Sequence, residues 1–466
     1  MIERTPNFKL IKKMNNKVFL RRMLWLLCLP LLLTACKDSM DEHYEVPDWV
    51  ADNAWEVLSS GEHGNYSIFL QGLEIAGYKQ MLEGKAILTI IAPDDDAFQT
   101  YLNKRGFTSI SDMPVNEVSK LIGYHVLYYS YNKEKLVNFR PTGSTETEEE
   151  QNIKAGLYYK HRTRSSDAPT VETTPTGASV MVYHLERYLP IFSYRYFQTK
   201  GIDAKNNYEA FYPNSTWTGD DGFNVSNASV KEYGIIANNG YIHAVDRVVE
   251  PLETIYTELK NKEKYSTFLD LYDSFGVYVA DDELSKSYAK AYGVDTLYQY
   301  QHGGLPNIAC EWPTSSYLNF TALTALSYSI FAPSNTAINS FFDSFWKIGG
   351  YSSMQEVDAL ALNYFLYQFI YGGSMLFPEE LGDDELKNLA GSSLNINPAA
   401  LNEKTMCVNG ALYGMDEIKE PSTFASVIGP LFQYKSARSF LYALLGSSLF
   451  SSYVSDLSKY IVLVPT

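Results

Sequence analysis

Apolar residues along this chain follow two rhythms. Between Val115 and Tyr131 they recur at helical spacing, which predicts a helix packed on a core. Ile90-Ile91-Ala92-Pro93 and Ile330-Phe331-Ala332-Pro333 are instead short continuous runs that end in Pro. Each predicts a buried strand. The polar residues that follow, Asp94-Asp95-Asp96 and Ser334-Asn335-Thr336, predict a cap for a helix opening at Ala97-Phe98 and Ala337-Ile338. Asn239-Gly240 and Asn409-Gly410 each open an alternating run that ends in Pro, which predicts a tight hairpin turn and a strand that closes a unit. Helical patterns flank the Ala-Pro strands and strand patterns dominate each unit's end, so the fold class is α+β.

These segments are repeats. Asn239 to Pro251 aligns without a gap on Asn409 to Pro421, and Ile90 to Phe98 aligns on Ile330 to Ile338. Tyr66-Ser67-Ile68-Phe69-Leu70 matches Tyr265-Ser266-Thr267-Phe268-Leu269, and Tyr124-His125-Val126-Leu127-Tyr128 matches Tyr367-Gln368-Phe369-Ile370-Tyr371. The order is the same in both halves, the mark of a repeated structural unit. The first unit spans 51–253 with an insertion at about 139–233, and the second spans 254–421 with an insertion at about 277–318. In the first insertion, Thr142 to Gln151 is polar and acidic and Arg162 to Ala178 is rich in Thr, Ser and Pro, which reads as exposed loop. Val180 to Thr199 sets Tyr183, Tyr188, Phe192, Tyr194, Tyr196 and Phe197 among apolar residues and predicts a β-hairpin with an aromatic face. The spacing from Phe69 to Pro93 is matched within one residue by Phe440 to Pro465, so 422–466 reads as the start of an incomplete third unit, its last residues an Ala-Pro-type strand.

The four motifs resemble the fasciclin-like domain: the Phe-Leu helix, the strand ending in Ala-Pro, the Tyr-His segment and the closing Asn-Gly-x-Ile-His-x-Ile-Asp run. The first unit carries all four nearly intact, from Phe69-Leu70 to Pro251. The second departs at Gln368, Tyr413 and Ile338. The resemblance implies tandem domains, each a twisted β-sandwich or wedge with several packed helices, of an adhesion type that engages proteins or glycans. It also implies an adhesive role for Tyr124-His125, which Gln368 puts in doubt for the second unit.

The N-terminus changes the setting. Lys9, Lys12, Lys13, Lys17, Arg21 and Arg22 precede an apolar stretch from Met23 to Leu33. At about eleven residues that stretch is too short to span a bilayer and suits a signal-peptide core. Leu33-Thr34-Ala35-Cys36 resembles the lipobox of bacterial lipoproteins, which implies cleavage after residue 35 and lipid on Cys36; an ordinary secretory signal with a chance Cys is the alternative. The acidic residues in 36–50, Asp38, Asp41 and Glu42, resemble an export signal to the cell surface in Gram-negative lipoproteins, against the plainer reading of a solvated tether. The expected place is therefore the outer membrane, lipid-anchored and exposed at the cell surface.

The net charge of −16 removes the basic footprint a nucleic-acid partner needs. Of four cysteines, Cys28 leaves with the leader, Cys36 takes lipid, and Cys310 and Cys407 remain. The compartment permits a bond between these two, but two cysteines give neither a framework nor metal-site spacing, and they are read as unbonded.

No catalytic motif of adequate specificity occurs, and no cofactor or metal is expected. His125 and His243 read as structural, each bridging buried backbone or packing on a Tyr. Asp246 and Asp416 recur at one repeat position and read as carboxylates accepting backbone N–H bonds. Asp94 reads as a helix cap before it reads as a Ca²⁺ ligand, and Asp220-Asp221-Gly222 as a turn. Tyr is the more useful clue, with 37 against 24 Phe and 6 Trp. Its flat apolar face and polar tip suit sugar or peptide recognition. Tyr124, His125, Tyr183, Tyr188, Tyr194, Tyr196, Tyr298 and Tyr300, with Tyr288 and Tyr292, are the candidate contact residues. The leading expectation is a binding module for a glycan, peptide or partner protein. The alternative is a structural subunit docked to an outer-membrane TonB-dependent transporter or to other surface lipoproteins. A hydrolase comes last.

Overall fold

The computed structural model describes residues 52–138, 159–312 and 327–465, apart from 384, 395, 448 and 455–458. The leader, Cys36, the tether, the acidic run 142–151 and the end of the second insertion at 313–318 lie outside the described residues. Among the described residues, nine strands precede residue 250: β1 Leu88–Pro93, β2 Val126–Tyr128, β3 Lys160–Arg162, β4 Thr170–Thr173, β5 Ser179–Val182, β6 Tyr188–Phe192, β7 Asn224–Val225, β8 Ala228–Ala237 and β9 Gly240–Val245. Six follow: β10 Gly276–Ala280, β11 Tyr298–His302, β12 Tyr328–Pro333, β13 Ile370–Gly372, β14 Leu401–Cys407 and β15 Gly410–Met415.

The repeats of the sequence are repeats of the sheet. The first unit's sheet runs β2-β1-β9-β8-β7-β6-β3 and the second's runs β13-β12-β15-β14. In both, the Ala-Pro strand lies parallel to the closing strand, with Leu88↔Gly240 to Pro93↔Val245 matched by Tyr328↔Gly410 to Pro333↔Met415. Antiparallel neighbours flank both pairs. The central strands are apolar on both faces because helices and further strands cover them. The glycine at the first rung is set by close approach: a Cβ on Gly240 would stand 1.9 Å from the Leu88 carbonyl oxygen, and one on Gly410 equally close to that of Tyr328. Asn239-Gly240 is therefore not the centre of the hairpin turn. Ala237 pairs with Gly240, so Asn238 and Asn239 form the turn and the glycine opens the strand.

Helix caps repeat as well. The Asp94 carboxylate accepts from Ala97 N at 2.9 Å, and Ser334 stands in its place in the second unit. Asp95 reaches across to cap a different helix, Ser67–Ile75, accepting from Ile68 N at 2.8 Å. Asn335 does the same for Thr267 N at 2.9 Å.

Two expected elements differ. The helix expected over Val115–Tyr131 ends at Tyr124, and Val126–Tyr128 forms β2 instead, because the exposed edge of β1 captures it. The hairpin expected over Val180–Thr199 does not form. β6 is buried along its whole length between β7 and β3, β5 joins another sheet, and Tyr194–Lys200 is a helix that buries Tyr196 and Phe197 against Phe377.

That other sheet belongs to neither unit alone. Its order is β10-β11-β5-β4, so a hairpin from each insertion meets its counterpart. The two hairpins join in parallel at Tyr298↔Val182, supported by Tyr183 N donating to Tyr298 O at 2.9 Å. From Asp52 onward the chain forms one compact body. Beyond the second unit, Phe424 stacks on Phe345 at 5.1 Å and on Phe432 at 4.9 Å, which seats residues 422–445 on the second unit's core. The strand expected over the last residues is absent among the described residues: Ile461-Val462-Leu463-Val464 pairs with no strand, and Ile461 is 92% exposed. Cys310 and Cys407 are both buried free thiols.

Candidate functional site

The shared sheet is curled. In a flat four-stranded sheet its edge strands would stand ~14 Å apart. Here Tyr278 on edge strand β10 donates its hydroxyl to Glu172 on the opposite edge strand β4 at 2.9 Å. Only one rung ties the hairpins together, so they splay, and a cleft of about 580 Å³ opens between the units. Thr170, Glu172, Tyr183 and Arg187 come from the first insertion; Tyr256, Lys260, Tyr278 and Tyr300 come from the second unit.

The aromatic wall is held by its own hydrogen bonds. The rings of Tyr256 and Tyr278 stand 5.6 and 5.1 Å from that of Tyr300. Asp273 accepts from Tyr300 at 2.9 Å and from Tyr256 at 3.2 Å. Burial, together with the charges of Asp273 and Glu172, raises the pKa values of all three; that of Tyr278 is pushed up to about 12. These hydroxyls therefore stay protonated, and their bonds to Asp273 and Glu172 hold the flat apolar faces of the rings in place.

The floor is an ion network. The Arg187 guanidinium is buried and pairs with Asp167 and with Glu253 at 2.9 Å, and it donates to Leu252 O in the segment joining the units. Lys120 Nζ meets the same two carboxylates at 2.7 and 2.9 Å. Burial works against charge on Asp167, but Arg187 and Lys120 outweigh it and hold the carboxyl below its usual range. Beside them, His184 Nδ1 lies 3.4 Å from Glu311 Oε1. Burial lowers the imidazole's pKa, but Glu311 outweighs it and the net direction is up.

The expected contact residues divide sharply. Tyr183 and Tyr300 line the cleft. Tyr298 sits at the rung between the hairpins, and Tyr183 stacks on Tyr288 at 5.1 Å with Tyr292 beside it at 6.2 Å. Tyr194 is exposed elsewhere, at the start of a helix. Tyr124, His125, Tyr188 and Tyr196 are buried and cannot meet a partner. Tyr124 donates to Tyr188 O at 3.0 Å, Tyr188 packs on Trp312, and Tyr196 belongs to the aromatic core. The insertion covers Tyr124 and the second unit covers Tyr188 and Tyr196, whereas His125 is enclosed by Phe69, Leu121 and Val249 of the first unit itself.

The motif histidines are backbone clamps. His125 accepts from Val249 N at Nε2 (3.1 Å), which leaves Nδ1–H to donate to Leu121 O at 2.9 Å. His243 accepts from Gly234 N at Nδ1 (3.1 Å) and donates from Nε2 to Tyr131 O at 3.0 Å. Burial lowers the pKa of each to about 4. The second unit makes the donating half of each clamp with neutral groups: Gln368 donates to Tyr364 O, and Tyr413 donates to Leu376 O at 2.7 Å. Asp246 accepts from Ser229 N at 2.8 Å, and Asp416 pairs with Lys264 at 3.0 Å. Asp94 and Asp246 border a second cleft of about 400 Å³, where Lys231 and Arg247 already pair with them.

Sequence reasoning missed Asp167, Glu172, His184, Tyr256, Lys260, Tyr278 and Glu311. Tyr278 lay inside the expected second insertion at about 277–318. His184 and Glu311 carried no local signal, since they meet only through the shared sheet.

Residues 64–190 match the model of the fasciclin domain family. The second unit repeats the first one's central sheet order and register, so the matched unit has a structural counterpart in the second half of the chain. No curated protein matches the chain at a significant level. Among solved structures it is similar to a FAS1 domain pair from the insect cell adhesion molecule fasciclin I, at 12% identity and a TM-score of 0.23, over 78% of this chain and 96% of that one.

Proposed function

We propose that this chain is a surface-anchored binding protein of the adhesion or nutrient-capture kind, and that the cleft between its units receives an extracellular glycan or peptide. The observation that carries the reading is the shared sheet. Each insertion contributes one hairpin, and together they curl around a pocket that neither unit could form alone. Such a pocket offers aromatic faces for stacking and convergent polar groups for hydroxyls or amides, the usual makeup of a ligand site.

The test is an array of glycans and peptides probed with the full mature chain and with Tyr278→Ala and Tyr300→Ala. Each substitution is expected to weaken the captured ligand at least tenfold, about 1.4 kcal/mol. Unchanged capture by both variants would move the ligand elsewhere. No capture, with a transporter recovered on native purification, would favour the docked structural subunit.

Anchoring is part of the proposal. An alkyne-tagged fatty acid is expected to label the chain at Cys36 and to leave it in the membrane fraction, since several acyl chains bind stably where one binds reversibly. Cys36→Ser should abolish both. Among the described residues no helix is long and apolar enough to cross a membrane.

A further inference from the structure

Asp167, His184 and Glu311 come from three separate segments. Asp167 precedes β4, His184 follows β5, and Glu311 belongs to the second unit after β11. Each nevertheless brings one ligand atom within 4.8 Å of the other two. All three line the cleft.

The spacing fits coordination better than hydrogen bonding. A charge-assisted N–H···O bond normally closes to ~2.7–2.9 Å, whereas His184 Nδ1 and Glu311 Oε1 stand 3.4 Å apart. Two ligands bound at ~2.1 Å in a tetrahedron are separated by ~3.4 Å.

The surroundings orient the donors. Glu311 is buried, and its Oε2 accepts from Leu185 N at 3.1 Å, which leaves Oε1 facing His184. His184 Nε2 lies 3.3 Å from Thr170 Oγ1, which presents Nδ1 inward. Lys120 and Arg187 hold Asp167 by one carboxylate oxygen each, which fixes its orientation and leaves each oxygen a second lone pair. Charge also favours a cation. Asp167, Glu253 and Glu311 face Lys120 and Arg187, which leaves one negative charge over when the His184 imidazole is neutral, as a metal ligand must be.

We propose that Asp167, His184 and Glu311 form a divalent transition-metal site, of the zinc type, that pins the two units together across the cleft. An imidazole beside two carboxylates selects zinc or a similar ion over calcium and magnesium, which take oxygen donors throughout. Three protein ligands leave a coordination position for an anionic or neutral donor from the cleft. The site stands whether or not the cleft takes a glycan or peptide.

The experiment is titration calorimetry on the full mature chain, stripped with chelator, using zinc chloride and then calcium chloride, with thermal melts alongside. One zinc per chain is expected, bound at least tenfold more tightly than calcium and raising the melting temperature. His184→Ala and Glu311→Gln should each weaken zinc at least tenfold, while Asp220→Asn, a surface carboxylate outside the site, should not. His184 is partly exposed, so His184→Ala keeps the test open if the buried Glu311 variant fails to fold. Absence of stoichiometric zinc binding by the unaltered chain would overturn the proposal. So would zinc binding that survives His184→Ala unchanged.

Discussion

Asn239→Ala should cost the first unit about 3–5 kcal/mol, read as a large fall in the urea midpoint. Asn239 is buried in the turn between β8 and β9. Its Oδ1 accepts from Ala54 N at 3.0 Å, at the start of the helix Ala54–Ser60. Its Nδ2 donates to Leu82 O at 2.7 Å and to Gly84 O at 3.1 Å. One side chain thus ties the opening helix and the approach to β1 to the closing hairpin, over 185 residues of chain. Truncation leaves three backbone groups without a partner, at about 1–3 kcal/mol for each that stays buried. Asn239→Asp should be no better, because it keeps the acceptor but sets a carboxylate against two carbonyls. Asn409→Ala should do equal harm to the second unit, since Asn409 accepts from Ile255 N and donates to Ile308 O and Cys310 O at 2.8–3.0 Å. The exposed neighbour Asn238 is the control, and Asn238→Ala should stay within about 0.5 kcal/mol. Equal effects at 238 and 239 would refute the clamp.

Acid should open the first unit before the second. His125 and His243 are held neutral, each accepting one backbone N–H and donating to one carbonyl. A proton added to either would face an N–H. Their folded pKa values of about 4 lie below the unfolded value near 6.5. Between those values the unfolded chain binds more protons, so the stability is complete above pH ~6.5 and lost as the pH falls toward 4. Each histidine accounts for about 3 kcal/mol over that window. His125→Gln and His243→Tyr copy the second unit's residues and should flatten the loss, measured as urea midpoint against pH. An equally steep profile in the double variant would place the acid sensitivity elsewhere.

Much of the fold was legible because it rests on local pattern. A continuous apolar run before Pro and a polar cap is a buried strand entering a helix wherever it falls, and two copies in one order imply two copies of one sheet. The helix assigned through Tyr131 failed because apolar spacing alone cannot show that an open strand edge will take the last residues. The tyrosines failed for a related reason. Tyr has an apolar face and a polar tip, so the same residue suits a core, as Tyr188 and Tyr196 show, or a cleft wall, as Tyr278 and Tyr300 show.

What the sequence determined by itself was the α+β class, the repetition of its motifs and the chemical character of its insertions. Only the tertiary structure decided that the two insertions share a sheet. Pairing between strand edges so far apart in sequence depends on which edges the rest of the fold leaves free, and no local period encodes that. The cleft, and the meeting of Asp167, His184 and Glu311 within it, follow from that pairing.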